Sequence, residues 1–193
     1  MLEFKEDNHE YKWDGVVVPS VSQKINKVLN NNEDIPEYAK KYAEIGTNAH
    51  KIIQLDLTLG VDLSSIDEKL KGFILSYLLL KEECKFEPEQ VEYRLYNKEE
   101  NTAMTLDYLG KVKGARSLLD WKTGGIYKKY RPQMGGYLNG LHKSVGIVPD
   151  YVYLAQLFKT GKKGILIKLD FDEIYSDWYS VNRIYNIMTE RGL

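Results

Sequence analysis

Cysteine is almost absent: Cys84 is the only one in 193 residues. A single thiol can form no internal disulfide and no thiolate quartet for zinc or an iron–sulfur cluster. Long apolar runs are missing too. The longest, around Leu78-Leu79-Leu80, ends at Lys81, far short of the roughly 20 residues that span a bilayer. The opening Met1-Leu2-Glu3-Phe4-Lys5-Glu6 lacks the charged-then-apolar layout of a signal peptide. A reduced, cytoplasmic setting is therefore expected. There is no internal repeat, low-complexity tract or linker, so residues 1–193 read as a single domain.

What is present is ordinary for a globular chain, 43% hydrophobic and 28% charged residues, enough for one sizeable core. The net charge of −1 points to no partner, but its distribution does. Gly110 to Lys168 holds twelve Lys and Arg against Asp120 and Asp150, so this segment carries +10 and the remainder −11. Either it is a solvated basic face or it is a groove for a polyanion.

Hydrophobic period and turn chemistry predict the elements. Glu10 to Val18 reads as a hairpin turning at Asp14-Gly15. Ser20 and Gln23 form a capping box that opens a helix ended by Asn30-Asn31-Asn32. Pro36 starts a helical stretch that Gly46 interrupts, with His50 on the second piece. A capping box of Ser65 and Glu68 opens a further helix through Leu70, Phe73, Ile74 and Tyr77. Gln90 to Tyr96 alternates as a strand, with Val91, Tyr93 and Leu95 on one face and Glu92 and Arg94 on the other. Strands over 102–112 and 115–123 flank a Lys113-Gly114 turn. A helix over 131–143, strands over 151–158 and 164–170, and a closing helix over 173–190 complete an α/β order.

The Lys113-Gly114 turn has a chemical consequence. With these two residues at its centre, opposed positions sum to 227, which sets Asp107 against Asp120 on the face that also carries Lys122. Carboxylates that close repel unless a proton or cation intervenes. A hard divalent ion, Mg²⁺ or Mn²⁺, prefers such oxygen donors, and the Trp121 carbonyl offers another. The alternative is a cross-strand ion pair of Asp107 with Lys122 that leaves Asp120 exposed.

The strings Thr105-Leu106-Asp107-Tyr108 and Leu118-Leu119-Asp120-Trp121-Lys122-Thr123-Gly124 resemble the PD-(D/E)XK nucleases, in their RecB-like and phage-type exonuclease branch. Gly46-Thr47-Asn48-Ala49-His50 is similar to that branch's Gly-Thr-x-x-His helix, and Gln133 with Tyr137 to its Gln-x-x-x-Tyr helix. The leader Tyr11 to Ser22 also resembles phage-type members. The motifs fall in the family's order and touch most of the chain.

The resemblance implies a restriction-endonuclease-like core, a central mixed sheet flanked by helices, and Mg²⁺- or Mn²⁺-dependent hydrolysis of DNA in processing or recombination. It implies that His50, Asp107, Asp120 and the Trp121 carbonyl hold the metal. Lys122 would orient the attacking water and steady phosphoryl charge, with Gln133 and Tyr137 beside the site. Glu92 is a further acid that can approach the metal or stay exposed. Lys128, Lys129 and Arg131 are placed for DNA phosphates, and Tyr127 and Tyr130 for stacking on bases of single strands or free ends. A recombination or annealing protein is the implied partner. One departure is Ala103-Met104-Thr105, where relatives carry a glycine. The other reading is a non-catalytic DNA- or protein-binding member of the same fold.

Overall fold

The computed structural model describes residues 1–6, 9–29, 37–60, 62 and 66–193, and side chains from 41 onward in the second helix. Three strands, β1 (Leu2–Lys5), β2 (Glu10–Trp13) and β3 (Val16–Val18), form a small antiparallel sheet. The β2–β3 turn is the expected Asp14-Gly15, both with positive φ (49° and 82°), as a two-residue turn matching strand twist requires. β1 was not expected from the sequence. Ser20 caps α1 (Val21–Val28) with the full capping box, its Oγ accepting from Gln23 N–H while Gln23 Oε1 accepts from Ser20 N–H.

Two long helices follow, α2 (Glu37–Leu59) and α3 (Glu68–Cys84). The expected break at Gly46 does not occur: α2 runs through it. A glycine costs a helix interior only about 1 kcal/mol, and here it faces the end of a neighbouring strand, where a Cβ would stand 3.3 Å from Thr123 Oγ1. Asp56 braces α2 to α3 by accepting hydrogen bonds from Tyr77 Oη and Lys81 Nζ, both at 2.7 Å. Asp67 caps α3 through Lys69 N–H; the expected caps at Ser65, Asn30 to Asn32 and Pro36 lie outside the described residues.

The main sheet has the order β4-β5-β6-β7-β8. β4 (Glu87–Asn97), β5 (Thr102–Val112) and β6 (Ala115–Lys122) form an antiparallel meander. α4 (Tyr130–Val145) then crosses so that β7 (Tyr151–Gln156) lies parallel to β6, the connection a parallel pair needs. β8 (Ile165–Leu169) returns antiparallel, and α5 (Phe171–Glu190) closes the chain. The protein is thus α/β with a five-stranded mixed sheet. Among the described residues no helix is long and apolar enough to cross a membrane.

The sheet separates two cores. On one face Leu106, Leu109, Leu118, Leu138, Leu154 and Trp178 pack with α1, α4 and α5. On the other Ile53, Ile74, Tyr77, Tyr108, Leu119 and Trp121 pack with α2 and α3. α1 is tied to the first core by Lys24, which is buried and donates to Glu100 O and Asn182 Oδ1.

Alternation along β4 and β5 contains a slip. Met104 and Leu106 belong to the first core, yet Tyr108 and Val112 belong to the second. On the facing strand Tyr93 and Leu95 pack against the first core and Val91 against the second. The expectation that Val91, Tyr93 and Leu95 share a face is therefore corrected. The cause lies between them: Glu92 has φ 52°, and neither Glu92 nor Asp107 is paired in the ladder although Val91↔Tyr108 and Tyr93↔Leu106 are. One left-handed residue in an extended strand reverses the sides of everything beyond it.

Candidate functional site

The β5–β6 hairpin carries the register expected of a Lys113-Gly114 turn. Lys113 and Gly114 have φ of 52° and 83°, and the pairs run from Val112↔Ala115 to Tyr108↔Leu119. There the ladder stops. Asp107 and Asp120 are not joined as a pair; instead Asp107 Oδ2 accepts a 2.9 Å hydrogen bond from Trp121 N–H. The β5–β6 ladder ends where the two acids begin, and Asp107, buried on an inner strand, turns its carboxylate to the Trp121 amide.

His50 reaches this point from α2, with Nδ1 3.3 Å from Asp107 Oδ2. Ligand atoms of His50, Glu92 and Asp107 all lie within 4.8 Å of one another. Asp120 stands next to this group but turns to Lys122, whose Nζ is 2.5 Å from Asp120 Oδ2. That contact is an ion pair off hydrogen-bond alignment, and among the described residues this buried oxygen has no aligned donor. The pairing of Asp107 with Lys122 and exposure of Asp120, entertained from the sequence, is not what forms: Asp120 is 2% exposed.

Lys122 is held from three sides. It contacts Asp120, donates to Gln133 Oε1 at 3.2 Å, and lies 4.0 Å from the centre of the Tyr130 ring. Gln133 Nε2 in turn donates to Tyr137 Oη at 2.8 Å, so the expected Gln133–Tyr137 face of α4 meets the site. Tyr137 is also core, 7% exposed among the leucines of the first cluster.

Burial without full compensation shapes the protonation of the group. Burial, then repulsion from Asp107, pushes the Glu92 carboxyl up to about 7. Burial also raises Asp120 to about 6, against the pull of Lys122. For Asp107 burial acts upward, but the His50 charge, Lys122 and the Trp121 N–H outweigh it and hold the carboxyl below its usual range. Burial likewise opposes the His50 cation, and Asp107 reverses it, keeping the imidazole protonated up to about 9. Three acids thus meet one imidazole and the Lys122 ammonium, and burial keeps Glu92 and Asp120 from ionising freely.

These residues line a cleft of about 1110 Å³. Its walls include Phe4 and Tyr11 of the small sheet, α2, and the segments after β6 and β7. Tyr11 Oη and Thr105 Oγ1 are hydrogen-bonded at 2.7 Å, and Arg94 stacks 4.7 Å from the Phe4 ring. Sequence reasoning missed these wall residues, because nothing local links β1 and β2 to β4 and β5. At the position where the resemblance led one to expect glycine, Ala103 packs against Tyr11 and Val18 of the small sheet, while Met104, part of the first core, and Thr105 both line the cleft. No protein-family model and no curated protein matches the chain.

The basic segment is partly paired. Of its twelve cations, Lys111, Lys113, Arg116, Lys122, Arg131, Lys143 and Lys163 pair with acids. Arg131 in particular turns to Glu173 and Asp177 on α5, at 3.1 and 2.8 Å. Lys128 and Lys129 lie outside the cleft lining, while Tyr127 and Tyr130 line it and meet edge to face at 5.7 Å. Tyr127 is 59% exposed.

Proposed function

We propose that this chain is a divalent-metal-dependent DNA nuclease of the PD-(D/E)XK type, hydrolysing phosphodiesters to 5′-phosphate and 3′-hydroxyl ends. The observation that carries the reading is the convergence of His50, Glu92 and Asp107 within 4.8 Å, beside buried Asp120 and its neighbour Lys122, where the β5–β6 ladder ends. The order Asp107, Asp120, Lys122 on adjacent strands is the one the resemblance implies.

The residues fit a hard cation. Oxygen donors predominate, burial drives two of the acids toward protonation, and the buried Asp120 Oδ2 lacks an aligned donor. Mg²⁺ and Mn²⁺ favour such sets. Asp107, Glu92, His50 and Asp120 would hold the ion. Strand geometry also directs the Trp121 carbonyl to the same side as its N–H, which already meets Asp107. When bound, the ion supplies charge neutralisation at the phosphate and acidification of water.

The chain's own groups do the rest. Lys122, held by Asp120, Gln133 and the Tyr130 ring, keeps an ammonium at the mouth of the acid cluster to meet negative phosphoryl oxygen and orient water. Gln133 keeps that lysine from folding back on Asp120 alone. His50 loses its proton when it ligates, so loading releases protons. Incubating labelled single- and double-stranded DNA with the protein in Mg²⁺, Mn²⁺ or EDTA tests the reading; intact DNA with every metal and every strand form refutes it.

A further inference from the structure

Most cations near the cleft are already engaged. Lys51 pairs with Glu6 at 3.6 Å, Arg94 stacks on Phe4, Lys122 meets Asp120, and Lys162 lies 3.9 Å over the Phe158 ring. Lys159 is different. It lines the cleft, is exposed, and has no charged or aromatic partner among the described residues.

Its backbone, by contrast, is clamped. Lys159 follows β7 in a loop laid along α3. Phe158 N–H donates to Ser76 Oγ and Gly164 N–H to Ser76 O, both at 3.0 Å. One helical turn before Ser76, Gly72 lets α3 approach so closely that a Cβ there would stand 1.8 Å from the Lys159 carbonyl oxygen. The loop is thus pinned on both sides of Lys159 while its ammonium stays unpaired. A fixed backbone under a free charge at the edge of an acid-lined cleft suits contact with a polyanion.

We propose that Lys159 binds a backbone phosphate flanking the scissile one, on the α3 wall of the cleft, and that Gly72 is its positioning residue. This rests on the nuclease reading. It moves the phosphate path to the loop after β7, away from Arg131 and from Lys128 and Lys129, which lie off the lining.

The test compares wild type with Lys159→Ala, Lys159→Arg and Gly72→Ala, using a labelled oligonucleotide in Ca²⁺ over a salt series and cleavage kinetics in Mg²⁺. Loss of one phosphate contact lowers the log–log salt slope by about 0.7 to 0.9. Lys159→Ala should show that drop, with KM raised and kcat kept, and Lys159→Arg should restore it. Gly72→Ala should weaken binding likewise while leaving the metal titration unchanged; if it fails to fold, the two Lys159 variants decide alone. Wild-type cleavage with an unchanged slope in Lys159→Ala overturns this proposal and leaves the nuclease reading intact. A wild type that neither binds nor cuts DNA overturns both.

Discussion

Without divalent metal, raising the pH from 5 to 8 should lower thermal stability, and adding metal should restore more of it at the higher pH. The folded carboxyl of Asp120 sits at about 6, against an ordinary 3.8. Between those values the folded protein keeps a proton that the unfolded chain has released. Its stabilising contribution is therefore full at low pH and is lost as pH rises through 6. At pH 5, one unit below the folded value, Asp120 still contributes on the order of 1 kcal/mol that is gone by pH 8. For a chain of this length each kcal/mol is worth about 2–4 °C, so Asp120 alone lowers Tm by that order, a few degrees. Glu92, at about 7, and His50, protonated up to about 9, act with the same sign; Asp107 acts oppositely, but only below its ordinary 3.8. Scanning calorimetry in EDTA and in saturating Mg²⁺ across this range measures both effects. A metal-free Tm that is flat or rising from pH 5 to 8, or a metal increment equal at both ends, would refute the reasoning.

Asp120→Asn should lose cleavage yet stay folded, because the amide keeps the volume of the carboxyl and removes a buried charge; wild-type turnover in the purified variant would remove Asp120 from the site. His50→Ala should weaken metal affinity by about 10–100-fold, read by calorimetric titration, and an unchanged isotherm would reduce His50 to a packing role. Gly135→Ala should destabilise the protein although alanine favours helix by about 1 kcal/mol. Its Cβ would lie 2.0 Å from the Ile174 carbonyl oxygen on α5, and overpacking of this kind costs about 1–3 kcal/mol. A Tm at or above wild type would show that α5 gives way freely.

Local signals carried the fold a long way. Asp14-Gly15, Lys113-Gly114 and the Ser20 box have chemistry that leaves few alternatives, and each formed as expected. With the Lys113-Gly114 turn came the register that brings Asp107 near Asp120. What stayed hidden depends on long-range packing. Glu92 has no residue-type signature of a left-handed strand position, so the exchange of faces at Val91 and Tyr93 could not be read from alternation. Gly46 resembles a helix break because its use, close approach to Thr123, lies 77 positions along the chain. The ion pairs of the +10 segment could not be read from the sequence because its acidic partners, such as Glu83, Glu87 and Glu173, sit in other elements.

The hydrogen bond from Trp121 N–H to Asp107 has a spectroscopic consequence. A continued ladder would pair this amide with a backbone carbonyl whose charge never changes. Here its partner is a carboxylate that also meets the His50 imidazole. The Trp121 amide proton thus becomes an internal indicator, its NMR chemical shift following the charge balance at Asp107. Titrating metal into ¹⁵N-labelled protein would then show this one resonance moving early and far, reporting occupancy of the centre with no substrate present.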